Sequence, residues 1–541
     1  MSAYVLTQAG FKVLMLEAGR DYHPETETPM FYVPSQAPLR GVATPDKPYG
    51  YYSADIGGWT IPDEPYVVAP GSEFQWYRSR MLGGRTNHWA RVALRFGPYD
   101  FKPYSRDGLG VDWPITYEDL SPWYDRVERL IGVFGSNEGL ENTPDSPPGV
   151  LQPPPPPRPI ELFIKRGFES LQIPVAATRA AILTQPLNGR PACVYATECV
   201  RGCSIRANFQ TPTVLLPPAL ATGNLEIRTR AQVYQVDMDK DGRAGGVSFV
   251  DQSTGHHHSV RARAVVLAAS ACESARILLN SRSPRSPEGV ANEHGNVGRY
   301  LTDSVAIGSM VGQFPALERL PPRNDDGASV SHVYVPWWGY QKQSKGQLNF
   351  PRGYHVEMGG GRTMPGMGID ELALTPYGPN LRSELRRTFG TSYGFFGRGE
   401  MIPNDQTFCE IDPVVKDRWG IPVLRFHWKW SEHEIRQAAH MRQTFLEVID
   451  RLGGRVISKT ANTGIVKGGA ISHEVGATRM GSKPQTSVVN QFGQAWNVRN
   501  LFVTDGGVFA SHPNKNPTLS ILALSWRSGS YLVDAARRGD L

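Results

Sequence analysis

The sequence predicts a mixed α/β fold: a Rossmann-like dinucleotide-binding half joined to a second domain with an antiparallel sheet flanked by helices. Three observations carry this. Near the start, residues 2–10 have helical character, and the apolar run 13–16 after them ends on an acidic residue, Glu17. In dinucleotide folds an acidic residue at that point meets a ribose hydroxyl. Residues 225–268 alternate apolar and polar side chains around turn signals at Asp239-Lys240-Asp241-Gly242 and Ser253-Thr254-Gly255, the pattern of a β-meander. Near the end, an apolar strand over 501–504 turns at Asp505-Gly506-Gly507, and Asn516-Pro517-Thr518 opens a last helix.

The elements follow in order. A dinucleotide fold begins with a strand, a G-x-G-x-x-G turn and a helix whose N-terminus faces the pyrophosphate. Here residues 2–10 fit the end of that helix, with Gly10 as C-cap, so the strand and glycine turn would lie ahead of Met1. This expects a start codon assigned too late. It also expects an unfilled slot between strands 13–16 and 264–268, because the missing strand is central in the usual order. Residues 21–75 read as an irregular excursion, and such long loops serve as lids or interfaces. Thr116 and Asp119 predict a capped helix start, followed by apolar Trp123, Val127 and Leu130. Residues 144–159, with the run Pro153 to Pro157, read as a polyproline strap. The second domain is expected over 302–470, between a first domain of 1–301 (with excursions 21–75 and 105–205) and a return over 471–541. Its strands are expected at 330–336 and 423–430, and its helix at 431–452, capped by Ser431 and Glu434.

At 541 residues the chain exceeds the usual single-core limit. A net charge of +6, from 57 basic and 51 acidic residues with no concentrated basic arm, argues against a nucleic-acid partner. No run approaches the roughly 20 apolar residues of a membrane span. The start, MSAYVLTQAGFK, lacks a basic n-region and a long apolar core, so no signal peptide is expected. Cellular location is left open: cytoplasmic, or exported or membrane-associated through a partner subunit.

The chemistry concentrates in two C-terminal segments, Ser472-His473-Glu474-Val475-Gly476-Ala477-Thr478-Arg479-Met480-Gly481 and NLFVTDGGVFASHPNKNPTLSILAL over 500–524. They bring a histidine, His473, and an asparagine, Asn516, to the ends of segments able to converge. Histidine is the natural base for an alcohol proton near neutral pH. Asparagine offers donor and acceptor together, although Asn-Pro-Thr is also a helix-cap pattern. His512 is a candidate second polar group.

These segments resemble the C-terminal signature of the glucose–methanol–choline (GMC) family of flavin oxidoreductases. Lys12 to Gly19, Leu82-Gly83-Gly84-Arg85-Thr86-Asn87-His88-Trp89, Ala264 to Ser270 and Val297 to Asp303 resemble further family segments in the right order. The resemblance implies FAD-dependent oxidation of CH–OH groups, with His473 as base and Asn516 clamping the substrate oxygen. It implies flavin contacts from Glu17, Gly83, Gly84, Asn87, His88, Asp505, Gly506, Asn516, Pro517 and Thr518. In several relatives the histidine of a loop like that of His88 is bonded covalently to the flavin. Clustered cysteines outside a secretory context suggest metal ligation. Cys193, Cys199 and Cys203 resemble the loop that holds a three-iron (3Fe–4S) iron–sulfur cluster in FAD-dependent glucose and glycoside 3-dehydrogenases, although Ser204 stands where cluster loops carry proline. Cys272 and Cys409 read as buried small apolar side chains. The family reading is a sugar, glycoside or polyol dehydrogenase, with a small subunit and a cytochrome c as partners. A peroxide-forming oxidase of the same family and a truncated, non-catalytic homologue are the competing readings.

Overall fold

The computed structural model describes residues 1–28, 61–195, 199, 202–318, 330–360, 378–458 and 464–541. Most of the expected 21–75 excursion lies outside them. Helix α1 (Ser2–Gln8) ends on Ala9, and Gly10, one residue beyond the cap rather than the cap itself, turns the chain at φ +87°. Strand β1 (Val13–Leu16) follows. Helix α2 (Tyr117–Ile131) opens on the expected capping box, Thr116 with Asp119. Then come β2 (Leu225–Arg228), β3 (Ala231–Met238), β4 (Ala244–Asp251), β5 (His257–Arg261), β6 (Val265–Leu267) and α3 (Ala271–Asn280).

The next stretch holds β7 (Met310–Gln313), β8 (Tyr354–Gly360), β9 (Ser392–Gly399), β10 (Phe408–Lys416), β11 (Pro422–His427), α4 (Glu432–Arg451) and β12 (Arg455–Val456). The strand expected at 330–336 shortens to Val333–Tyr334, and that expected at 423–430 stops at His427. The chain closes with β13 (Leu501–Val503) and α5 (Thr518–Arg538).

Strand β1 pairs in parallel with β2, Val13 opposite Leu225. Strand β6 pairs in parallel with β13, Val265 opposite Leu501. Among the described residues β1 and β6 belong to separate sheets and are not paired with each other, as the expected slot requires. The two pairs are bridged by α1: Ser2 Oγ lies 3.0 Å from Thr504 Oγ1 just after β13 and 2.9 Å from Ser525 Oγ on α5. The meander is narrower than expected. Only β3, β4 and β5 form it, because β2 and β6 leave for the parallel pairs. Alternation identifies strands but not their partners.

In the second half the antiparallel order is β8-β9-β7-β12. Helix α4 lays Met441, Phe445 and Ile449 against this sheet, all buried. Glycines on β9 permit the approach: a Cβ on Gly397 would stand 2.1 Å from the Met441 sulfur, and one on Gly399 1.8 Å from Gln437 Oε1. One apolar core runs through both halves, from Trp113 and Phe509 to Leu424 and Phe445. Trp337 is part of it. The two halves are thus welded, and the site lies where their segments meet.

Candidate active site

Residues 472–480 are held from two sides. Thr302 and Val475 exchange backbone hydrogen bonds of 2.9 and 3.0 Å, and Gly476 and Thr478 donate to the carbonyls of Gly506 and Gly507 at 3.0 and 3.1 Å. Just ahead of this ladder Ser472 stands at φ +61°, a left-handed conformation that non-glycine residues adopt at a cost. Asp303 stabilises the turn: its carboxylate accepts the N–H groups of Ile471 (3.3 Å) and His473 (3.0 Å). Burial, with Glu474 nearby, pushes the Asp303 carboxyl up. Arg85 reaches across from the Gly83–Gly84 turn to donate to Ser472 O (2.9 Å) and Glu474 (2.6 Å). Ser304 Oγ sits 2.9 Å from His473 Nδ1. With Nδ1 engaged, Nε2 is left for a reacting group. Burial, then the nearby His512 and Arg398, hold the His473 imidazole well below its ordinary pKa, so the ring is neutral and able to accept a proton.

Asn516 arrives on the other segment. It is not the helix cap: Pro517 holds that position without a side-chain bond, and Thr518 is the first helical residue. Asn516 Nδ2 donates to Glu357 Oε1 on β8 at 2.8 Å, while its Oδ1 is buried without a partner. Arg398 on β9 pairs with the other Glu357 oxygen at 3.2 Å, and His355 Nε2 stands 3.5 Å from the first. Burial opposes the charge on Glu357, but Arg398, His355 and Asn516 together hold its carboxyl well below the usual range. His512 stacks its ring on His473 at 6.0 Å and 19°, and burial lowers it to about 4.

The expected cofactor residues converge on the same region. Glu17 accepts the Gly19 N–H at 2.6 Å, and burial pushes its carboxyl up to about 7 against the pull of Gly19 and Arg80. Gly19 must be glycine, since a Cβ there would lie 2.0 Å from the Arg80 carbonyl carbon. That contact brings the 80–88 loop beside the end of β1. Gly83 and Gly84 turn at φ +90° and +51°, conformations glycine adopts freely. Asn87 is fully buried and donates to Leu82 O at 2.9 Å. The His88 ring packs edge-on against Tyr77, and burial beside Arg91 and Arg85 takes it down to about 3. Asp505 accepts Ser274 Oγ and caps Gly507 N–H at 2.8 Å, so its carboxylate already serves protein donors. A Cβ on Gly507 would stand 2.3 Å from Thr478 Oγ1, which keeps this turn free of side chains.

The cysteine expectation fares differently. Among the described residues no group of three or more His, Cys, Asp or Glu side chains is placed to hold a metal ion. Cys193 packs against Cys199 in one small apolar cluster and against Cys203 in another. Its sulfur accepts the Tyr195 N–H at 3.3 Å, and burial with the two neighbouring thiols pushes it up to about 12. The ligand set Cys193, Cys199 and Cys203 of an iron–sulfur cluster is therefore without support among the described residues. Residues 196–198, 200 and 201 of that loop lie outside the described residues. Cys272 and Cys409 are buried as expected.

Comparison with known proteins adds to this geometry. Models of the GMC oxidoreductase family match residues 67–306 and 403–525. The chain is 30% identical to 2-methyl-1,2-propanediol dehydrogenase of Mycolicibacterium austroafricanum over 97% of its own length and 92% of the relative's. The chain belongs to the GMC oxidoreductase family. Among other GMC relatives, the fructose dehydrogenase large subunit of Gluconobacter japonicus is 27% identical over 99% of this chain and 96% of its own length. Paromamine 6′-oxidase of Streptomyces fradiae is 27% identical over 98% of this chain and 88% of its own length. The crystal structure of pyridoxine 4-oxidase from Mesorbium loti shares the fold, with a TM-score of 0.61 at 15% identity, covering 98% of this chain and 96% of that one. GMC enzymes bind FAD. The features present fit such a group: a Cβ-free turn at Gly506–Gly507, a second glycine turn at Gly83–Gly84, and a buried acceptor without a partner at Glu474 Oε1. Sequence reasoning missed Ser304, Glu357 and Arg398. No motif marks the last two, which stand on strands of the other half; Ser304 directly follows a quoted GMC segment.

Proposed function

We propose that this GMC oxidoreductase is an FAD-dependent dehydrogenase of sugars or polyols that passes its electrons to an acceptor other than oxygen. The observation that carries the reading is a neutral, half-buried His473 with Nδ1 engaged by Ser304 and Nε2 left over, beside the Asn516–Glu357 pair. His473 Nε2 takes the hydroxyl proton; Asn516 orients the substrate oxygen. FAD, when bound, supplies the hydride acceptor. Glu17, Gly83, Gly84, Asn87, His88, Asp505 and Gly506, with Asn516, Pro517 and Thr518 at the start of α5, would hold it. His88 is the candidate for a covalent linkage, and flavin released quantitatively by acid precipitation would exclude one. The acceptor assignment rests on relatives named as dehydrogenases of 2-methyl-1,2-propanediol, fructose and gluconate. One of these is named as a large subunit, which supports a partner subunit here; a cytochrome c is the expected acceptor.

Relatives named as oxidases, including paromamine 6′-oxidase, support a second reading in which oxygen is the acceptor. Flavin-loaded protein turning over a sugar or polyol separates the two. Dye reduction with negligible oxygen uptake is expected. Rapid oxygen uptake without added acceptor would overturn the dehydrogenase reading.

A further inference from the structure

We infer that the site selects alcohols carrying a second hydroxyl or amine on the carbon next to the one oxidised, and that Glu357 is the positioning residue that sets this preference. The inference rests on the reading of His473 as base. It follows from which way the Asn516 amide faces. Oxygen and nitrogen of an amide are assigned from their partners, and here the partner decides. Glu357 bears a carboxylate, held ionised by Arg398 on β9 and by His355. A carboxylate only accepts, so the atom 2.8 Å from Glu357 Oε1 is Nδ2. Asn516 Oδ1 therefore faces away from Glu357. It is buried, without a partner, on a residue only 5% exposed.

Oδ1 can only accept. The reacting hydroxyl has one proton, and that proton goes to His473 Nε2. The same oxygen cannot also donate to Asn516 Oδ1; it can only accept, from the second N–H of Nδ2. A buried acceptor beside the base thus calls for another donor on the substrate. A hydroxyl or amine on the adjacent carbon lies within one amide's reach of the reacting oxygen. A monohydric alcohol leaves Oδ1 unpaired, and sites built to bond a substrate hydroxyl discriminate strongly against analogues lacking it.

The test compares 2,3-butanediol with 2-butanol on the flavin-loaded enzyme, with a dye as acceptor. Wild-type protein should show kcat/KM higher for the diol by on the order of 10²-fold or more. Glu357→Gln, whose amide can face Asn516 with either atom, should shrink that ratio to about tenfold or below. General damage to the fold would lower both rates together and leave the ratio unchanged. Equal wild-type rates on the two alcohols, or a ratio unchanged in Glu357→Gln, would overturn the inference. If Glu357→Gln yields no folded protein, Glu357→Asp, which keeps the charge but draws it back from Asn516, is read by the same ratio. Flavin reduced by no alcohol, diol or sugar would instead remove the dehydrogenase reading, and this inference with it.

Discussion

At the scale of single residues, His473 combines two properties that usually oppose each other. Burial keeps its imidazole neutral, which readies it to accept a proton but weakens it as a base. Its partner at Nδ1 is a hydroxyl, Ser304, not a carboxylate that would raise its basicity. The sign of the pH dependence follows. The folded-state pKa is depressed, so the active neutral form persists as pH falls through the ordinary imidazole value of 6.5. The acid limb of kcat/KM should therefore lie well below that pH, and a limb at or above it would contradict the assignment. His473→Ala should lower kcat by on the order of 10²–10⁴-fold while flavin absorbance is retained. Turnover within a few-fold of wild type would remove His473 from the role of base.

Elements position these residues by close approach. Gly19 lets the 80–88 loop lie against the end of β1, and Gly397 and Gly399 let α4 settle on β9. The ends of α4 matter for the same reason. Ser431 accepts the His433 N–H at 3.2 Å, and the Glu434 side chain returns to the Ser431 N–H at 2.8 Å. Glu434 also accepts the Ile402 N–H at 3.0 Å, which ties the helix start to the chain leaving β9. Ser431→Ala should cost about 1 kcal/mol, seen as a lower thermal midpoint with KM unchanged. These caps were legible because they are local: Thr116 with Asp119 and Ser431 with Glu434 stand three residues apart in sequence. The destinations of β2 and β6 were not, because parallel pairing joins segments more than two hundred residues apart and leaves no short-range pattern.

Across the whole molecule, a buried ion-pair chain fastens the two halves. Arg80 bonds both Glu64 and Glu273, at 2.7 and 2.5 Å, and Arg276 joins Asp417 in the β10–β11 turn at 2.8 Å. Burial would raise the Glu273 carboxyl, but Arg80 and Arg276 pull it down to about 2. A depressed folded-state pKa stabilises above the unfolded value and loses that stabilisation as pH falls through the folded one. The thermal midpoint should therefore drop between about pH 4.5 and 2. Glu273→Gln should flatten that drop while costing about 3–5 kcal/mol at neutral pH, since it leaves Arg80 and Arg276 short of a buried partner. A variant with the wild-type acid profile would show that other carboxylates govern acid unfolding.

The sequence by itself determined the mixed α/β class, the family, the capped helices, and the segments bearing His473, Asn516 and Glu17. Each is written in residues near one another along the chain, where periodicity, turn chemistry and spacing act. Only the tertiary structure decided that Asn516 answers to Glu357 rather than capping α5, that Ser304 engages His473, and that the three cysteines sit in small apolar clusters. Those outcomes depend on side chains from distant strands sharing one buried space, where removal from water makes each unpaired charge or acceptor costly and so dictates its partner.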